Sequence, residues 1–271
     1  MYRIVILGSA SAVPDAEHEN THMLLEGPHG AILIDCVGRP LVNLKRIGID
    51  LNQLTDMILT HFHPDHISGV PNMIMSSWLI GRTSPMRIYG LNHCIERIED
   101  LMAAFHWEEW PGLFPVGFHN LPEQEGFTVI DNEDFHITAA PVRHYVPTIG
   151  LRVVVKESGY VFAYSCDTVP CPETIRLAYH ADLLIHEAAG DEPLGHSSAA
   201  QAGSIALEAG AKSLGLIHYH VWQARTDHLV PEAQKSFPGP VFLCEDFMEI
   251  ELARGRDKPR LETHKAVAAR S

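Results

Sequence analysis

The feature that most constrains this chain is the segment HFHPDH at positions 61–66, directly after the apolar run MILT at positions 57–60. A strand that ends in such a cluster projects its last side chains into one small volume. The first two histidines alternate as strand residues do and can share a face, whereas the aspartate and the third histidine can turn toward a second ion. A surface cluster of histidines is the alternative, but four ligand-type residues rarely gather at this spacing. The candidate metal ligands of this segment are His61, His63, Asp65 and His66.

Three later apolar runs also end in side chains that bind metals. His144, Asp167 and His218 each emerge from such a run, where a polar side chain must find a partner or stay hydrated. Any one of them alone is better explained as a structural histidine or a capping aspartate. Together with the cluster they complete a seven-ligand set of imidazole and carboxylate groups, the ligands that suit zinc, manganese and iron.

Composition limits the classes of function. The chain has 271 residues, of which 46% are hydrophobic, and a net charge of −14. This length and apolar content fit one large α/β domain. The negative charge argues against a broad basic surface for long nucleic acids. It does not exclude a small anionic substrate, because bound metal ions supply positive charge locally.

Cysteine usage and hydropathy predict the cellular setting. The five cysteines are scattered and contain no CxxC pair, which argues against a disulfide framework or a thiolate zinc site. The first residues read as a strand, without the layout of a signal peptide, and no run of 18 apolar residues occurs. We therefore expect a soluble cytoplasmic protein with no membrane partner.

Strand-like and helix-like runs follow one another along the whole chain. The predicted strands are Ile4–Leu7, Ala31–Asp35, Met57–Thr60, Met86–Tyr89, Phe135–Ala139, Gly150–Val155, Val161–Ser165, Leu183–His186, Leu214–His218, Val241–Cys244 and Met248–Leu252. The predicted helices are Pro40–Ile47, Leu91–Phe105, Pro172–Tyr179 and Ser197–Ala209. Hairpin spacing early and late, with βα alternation between, predicts an α/β protein built as a four-layer αββα sandwich.

Two segments stand apart from this pattern. Residues 1–252 are predicted to form one large domain, and the polar, basic tail at 253–271 is predicted to be flexible. The segment Phe105–His119 carries five aromatic residues and two prolines and is predicted to be an irregular loop. It could be a lid or a substrate wall, or equally a satellite core or a dimer contact. A homodimer is therefore left open.

These motifs together resemble the metallo-β-lactamase-fold hydrolases, and within them the ribonuclease Z-like branch. The resemblance covers the chain from about Ile4 to Leu252. The matching segments are Leu7–Pro14, Asp35–Cys36, His61–His66, Ser165–Thr168, Ile185–Ala188 and Gly195–Ser198. Asp35–Cys36 begins that branch's DCGEG motif, and the residues from Val37 to Pro40 depart from the rest of it.

The resemblance implies two divalent transition-metal ions, with zinc first and manganese or iron as alternatives. One ion is expected on His61, His63 and His144. The other is expected on Asp65, His66 and His218, and Asp167 is expected to bridge the two. The resemblance favours His218 over His220 as the metal ligand, because the family's ligand position directly follows the apolar strand. Asp35 is expected to accept a hydrogen bond from a ligand imidazole.

The resemblance also implies a catalytic set. Asp65 is expected to orient a metal-bound hydroxide or take its proton, and His196, polarised by Glu187, is expected to protonate the leaving group. Two structural alternatives remain: Glu187 could be a buried hydrogen-bonding residue, and His196 could cap the following helix.

The substrate prediction depends on one departure from the family. Members that process transfer RNA carry a long arm between the positions of His144 and Asp167, and here only 22 residues, Tyr145–Cys166, separate them. We therefore predict a small or cyclic phosphodiester as the first candidate substrate. A ribonuclease Z-type tRNA 3′ endonuclease, with RNA as partner, is the first alternative. A lactone or thioester hydrolase on the same site is the second, and a non-catalytic binding protein is not favoured because no ligand is lost.

Overall fold

The computed structural model describes residues 1–190 and 195–253 together with the backbone of Leu261–Thr263. Over these residues two β-sheets pack face to face, and helices cover the outer face of each sheet. This is the αββα sandwich that the sequence predicts, and the prediction is confirmed.

The first sheet has eight strands, in the order β15-β14-β1-β2-β3-β4-β5-β6. The ladder is antiparallel from β15 to β3 and parallel from β3 to β6. The bounds are β1 Arg3–Gly8, β2 His22–Gly27, β3 Gly30–Ile34, β4 Leu54–Leu59, β5 Met86–Leu91, β6 Val116–Leu121, β14 Met248–Glu251 and β15 Leu261–Thr263.

The second sheet has seven strands, in the order β13-β12-β11-β10-β9-β8-β7. It is parallel from β13 to β10 and antiparallel from β10 to β7. The bounds are β7 Phe127–Asp131, β8 Phe135–Val142, β9 Thr148–Val155, β10 Val161–Tyr164, β11 Leu183–Glu187, β12 Leu214–Ile217 and β13 Val241–Leu243.

Seven α-helices and one 3₁₀ turn complete the described fold. Helices α1, α3 and α4 cover the first sheet, whereas α5, α6 and α7 cover the second. The bounds are α1 Pro40–Arg46, α2 Pro64–Ile67, α3 Val70–Leu79, α4 Asn92–Ala104, the 3₁₀ turn Trp107–Glu109, α5 Pro172–Leu177, α6 Ala199–Ala209 and α7 Leu229–Gln234.

The alternation of side chains along each strand explains why two sheets can share one core. In β1, Ile4 and Ile6 pack between the sheets, whereas Val5 and Leu7 face the helices on the outside. All four are fully buried, as expected for strands covered on both faces. Apolar runs without polar alternation therefore mark the inner strands of this sandwich.

The parallel strands of the two sheets end at the same edge of the sandwich. The amide of Ile149 at the start of β9 donates to the carbonyl of Thr60, just after β4, across 3.1 Å. This bond joins the sheets where β3, β4, β10, β11 and β12 finish. In open α/β sheets, ligands bind outside the carboxyl ends of the strands.

The structure adds elements that the sequence patterns did not indicate. Strands β2, β6 and β7 and helices α2, α3 and α7 were not predicted, and β6 takes up part of the segment predicted to be an irregular loop. Most of the tail predicted at 253–271 lies outside the described residues. Within it, the backbone of β15 pairs antiparallel with β14. Among the described residues, no helix is long and apolar enough to cross a membrane.

Candidate metal centre

The first group of candidate ligands consists of three imidazoles. His63 Nδ1 lies 3.1 Å from His61 Nε2 and 3.2 Å from His144 Nε2. Tetrahedral zinc with bonds of about 2.05 Å places ligand nitrogens roughly 3.3–3.4 Å apart. His61 and His63 come from the end of β4, and His144 comes from the connection between β8 and β9. Three nitrogens at these distances are suited to a single ion.

The second group combines a carboxylate with two imidazoles. Asp65 Oδ2 lies 3.7 Å from His66 Nε2 and 3.5 Å from His218 Nε2. Both histidines are buried, and neither Nε2 atom has a hydrogen-bond partner within the described residues. Unpartnered buried nitrogens that converge on one point are costly unless something binds them, so this group also fits a metal ion.

Asp167 lies between the two groups. Its Oδ2 is 3.3 Å from His218 Nε2 and 3.5 Å from His66 Nε2, in the second group. The same oxygen is 3.8 Å from His144 Nε2 and 4.0 Å from His61 Nε2, in the first. One carboxylate oxygen thus faces both groups, as a shared ligand must.

The histidine pKa values are shifted in opposite directions in the two groups. Burial lowers the pKa of His61 well below its usual range and that of His144 to about 4, so both rings are neutral and have a free lone pair. Burial alone would also lower the pKa of His66, but the carboxylates of Asp167 and Asp35 raise it well above its usual range. The surroundings of His66 therefore favour a positive charge, which a metal ion would supply.

Glu187, which is fully buried, and His196, which is partly exposed, form a hydrogen-bonded pair beside the candidate ligands. His196 Nδ1 donates to Glu187 Oε1 across 3.1 Å, and Glu187 also accepts the amides of Thr168 and Ala189. Burial opposes a charge on His196, but the bond to Glu187 outweighs it and raises the pKa of His196. The cap of α6 is Ser198, so the alternative in which His196 caps that helix is wrong.

A family model described as "Beta-lactamase superfamily domain" matches residues 31–219, more than half of the chain and nearly all of this site. A ribonuclease Z from Methanothermobacter thermautotrophicus is 30% identical, over 93% of this chain and 97% of the relative. The chain belongs to the beta-lactamase superfamily, in its ribonuclease Z-like branch. It is accordingly a metal-dependent hydrolase.

Solved structures of this superfamily share the fold. The metallo-beta-lactamase fold protein YhfI from Bacillus subtilis matches with a TM-score of 0.78 and 24% identity, over 92% of this chain and 98% of that one. The short form of human tRNase Z matches with a TM-score of 0.75 and 24% identity, over 92% and 99%. At this identity the likeness shows the shared fold and nothing more.

A second layer of hydrogen bonds orients the superfamily motif. His66 Nδ1 donates to Asp35 Oδ2 across 2.7 Å, as the sequence predicted for a ligand imidazole. Thr60 Oγ1 donates to the same carboxylate across 2.8 Å and lies 3.1 Å from His61 Nδ1. Asp35 therefore contacts one candidate ligand, His66, directly and a candidate ligand of the other group, His61, through Thr60. Thr60 was not among the candidate site residues predicted from the sequence, although it directly precedes the motif.

Three residues at the ends of site-forming strands adopt left-handed backbone conformations. They are Asp35 with φ 59°, Cys166 with φ 54° and His218 with φ 54°. Residues other than glycine rarely adopt this region, and such strain is concentrated at functional sites. Asp35 and His218 directly follow β3 and β12, and Asp167 directly follows Cys166, so these conformations occur where candidate site residues leave the sheets.

Between His144 and Asp167 the chain forms only β9, β10 and the short turn that joins them.

The position of the aromatic segment Phe105–His119 follows from the hydrogen bond between the amide of Met86, at the start of β5, and the carbonyl of Pro115. It thus lies at the amino ends of the parallel strands, opposite the metal centre. The hypothesis that it is a lid or substrate wall is wrong, and Trp107 and Trp110 pack against the helical side of the core instead.

A cleft of about 310 Å³ opens next to the site. Its lining includes Ala188, His220 and Arg225, and the first two lie within two residues of Glu187 and His218. The seven candidate ligands are not among its lining residues.

Proposed function

We propose that the protein is a dinuclear phosphodiesterase of the ribonuclease Z type, which cleaves RNA as a tRNA 3′ endonuclease. The observation that carries the proposal is the position of Asp167 Oδ2 between two groups of three ligand atoms. On the sequence alone, a small phosphodiester was the first substrate prediction and RNA the second. The 30% identical ribonuclease Z relative supports the opposite order, which we adopt.

The donor atoms of this chain suit two divalent ions. His61, His63 and His144 would hold one, Asp65, His66 and His218 the other, and Asp167 would contact both. Zinc is the first choice for such nitrogen-rich sets, with manganese or iron as alternatives. A pair of divalent ions held there lowers the pKa of water toward neutral and offsets the charge of a phosphate group.

The protein's own side chains would move the protons. Asp65 is less buried than His66 and His218, and its carboxylate would accept a proton from the attacking water. His196 would donate a proton to the leaving oxygen as its bond to phosphorus breaks. Glu187 fixes the His196 ring, because its bond at Nδ1 leaves Nε2 as the free nitrogen.

A small or cyclic phosphodiester is the second candidate, and a specific observation favours it. The connection of β9 to β10 is a short turn, and the alignment to the archaeal ribonuclease Z spans 306 positions, more than the 271 residues of this chain. That relative therefore has segments without a counterpart here. The net charge of −14 further weakens the attraction of a long phosphate backbone.

A substrate panel with metal analysis separates the candidates. Purified protein would be assayed at one salt concentration on precursor tRNA with a 3′ trailer, a cyclic nucleotide, an aryl phosphodiester and a lactone. We expect close to two transition-metal ions per chain and cleavage of the precursor tRNA at one site. Hydrolysis of the small diesters with no cleavage of precursor tRNA would promote the second candidate. Activity on the lactone alone would overturn both.

A further inference from the structure

Tyr145 is an exposed aromatic side chain at the mouth of the candidate metal centre. It directly follows His144, and 54% of the residue's surface remains accessible. Its ring centroid lies 5.0 Å from that of His144 and 5.9 Å from that of His196. An apolar ring that stays exposed beside two candidate site residues is available to a substrate.

The Tyr145 ring is held in place by its neighbours. His144 Nδ1 donates to the carbonyl of Gly195 across 2.7 Å, which ties the β8–β9 connection to the segment before α6. A Cβ atom on Gly195 would overlap the ring of Tyr145, so the ring packs directly on the backbone there. Position 195 therefore requires glycine for this contact, which holds the Cδ2–Cε2–Cζ edge of the ring against the backbone.

The position of the proton donor, His196, shows that Tyr145 lies on the leaving-group side of the site. Water attacks phosphorus, its proton passes to Asp65, and the bond to the leaving oxygen breaks as His196 gives that oxygen a proton. The nucleoside attached to the leaving oxygen must then lie near His196. The Tyr145 ring borders His196, whereas the aromatic segment before β6 lies at the opposite edge of the sheets.

We propose that Tyr145 is the stacking surface for the nucleobase on the leaving side of the scissile phosphodiester. The inference rests on the proposed phosphodiesterase function and names the group of the substrate that this part of the site recognises. Stacking of a base on an aromatic ring depends little on base identity, so the subsite would accept any nucleobase and disfavour substrates without one.

Equilibrium binding tests the subsite without relying on turnover. AMP and ribose 5-phosphate would be titrated into the wild type, Tyr145→Phe, Tyr145→Ala and a matched control, Tyr179→Ala. Tyr179 is similarly exposed, and its neighbour His180 donates its amide to the carbonyl of Ala209 at the end of α6, away from the site. We expect AMP to bind about 5- to 100-fold more tightly than ribose 5-phosphate in all proteins except Tyr145→Ala. Tyr145→Ala should bind both ligands as weakly as wild type binds ribose 5-phosphate.

Kinetics on dinucleotides provide the second measurement. Removing the base from the leaving nucleoside should raise KM in the wild type and have no further effect in Tyr145→Ala, with kcat changed less than KM. The proposal is overturned if wild type does not prefer AMP, if the preference survives Tyr145→Ala, or if that variant loses binding of ribose 5-phosphate as well. A wild type that prefers AMP but hydrolyses no phosphodiester would refute the proposed function and leave the subsite standing.

Discussion

The two sheets contribute to the site in different ways. The first sheet supplies four candidate ligands from one segment, His61 to His66, which runs from the end of β4 into the short helix α2. The second sheet supplies its residues one at a time, from the ends of β10, β11 and β12 and from the β8–β9 connection. The first half of the site is thus built by local backbone geometry, whereas the second depends on the register of separate strands.

This difference predicts how each half responds to change. The segment of the first sheet is held by a single buried carboxylate, Asp35, which contacts His66 and Thr60. The residues of the second sheet are held by parallel pairing, such as Glu187 opposite Ile217. Substitutions near Asp35 should therefore act on metal affinity, and substitutions in the second sheet should separate metal binding from proton transfer.

The largest effect is expected from Asp167→Ala, because Asp167 is the one candidate ligand that both halves of the site would share. Asp167 comes from the second sheet, but its Oδ2 faces both ligand groups. Its loss should remove both ions and lower hydrolysis at least about 1,000-fold. Metal analysis of the purified variant checks this, with the exposed Asp100→Ala as control. Full metal content and activity in Asp167→Ala would show that the bridging assignment is wrong.

His196→Ala should separate catalysis from metal binding within the second sheet. We expect a loss of about 100- to 10,000-fold on substrates with poor leaving groups, because the proton donor is gone. Activated aryl esters should be affected much less, and metal content should stay near that of wild type. An equal loss on both substrate types would argue that His196 holds structure and donates no proton.

Asp35→Asn sharpens the comparison from the side of the first sheet. Loss of the carboxylate weakens the orientation of His66 directly and of His61 through Thr60, so metal affinity should fall about 10- to 100-fold. Competition with a chelator measures this. Asp56→Asn is the matched control, since Asp56 is also fully buried in this sheet but pairs with Arg87. Equal affinity in Asp35→Asn and Asp56→Asn would contradict the role of Asp35.

The smallest effect concerns the loop that supports His218. Asp246 accepts Ser9 Oγ and the amide of Glu19, each across 2.7 Å, and Ser9 in turn accepts the amide of His218. Burial raises the pKa of Asp246 to about 6. A raised carboxyl pKa favours folding at low pH, and that contribution is lost as pH rises through about 6.

Asp246→Asn should therefore gain stability relative to wild type as the pH rises. Between pH 5 and 7.5 we expect the difference in unfolding free energy to shift by about 1–2 kcal/mol toward the variant. Denaturant titration at both pH values measures the shift. A difference that stays constant, or moves the other way, would show that Asp246 is ionised at no cost in the folded protein.

The sequence predicts the two halves of the site unequally well. The segment from His61 to His66 can be recognised in the sequence because its four candidate ligands lie within six consecutive residues. His144, Asp167 and His218 could be proposed as strand ends, but their distances to one another depend on pairing that no local pattern contains. The ring of Tyr145 against Gly195 joins residues 50 positions apart and could not be read from either one.

Backbone conformation and strand assignment mark the other limits. The left-handed conformations of Asp35, Cys166 and His218 are not predictable, since none of these residues is glycine. The aromatic segment was read as an irregular loop by its composition, but its final residues pair with β5 as β6. The substrate order was drawn from a missing arm and net charge, which describe the surface and not the chemistry of the site.

The turn that joins β9 to β10 has a consequence for how such a protein could diverge. Both strands are clamped by their ladder, from Val161 opposite Val154 onward, so their ends stay together whatever the length of the connection. Each doubling of a flexible loop costs only about 0.6 kcal/mol in closure entropy. An inserted segment at this turn would leave the strands leading to His144 and Asp167 in register. The length of this hairpin can therefore change without displacing the candidate site residues at the far ends of the two strands.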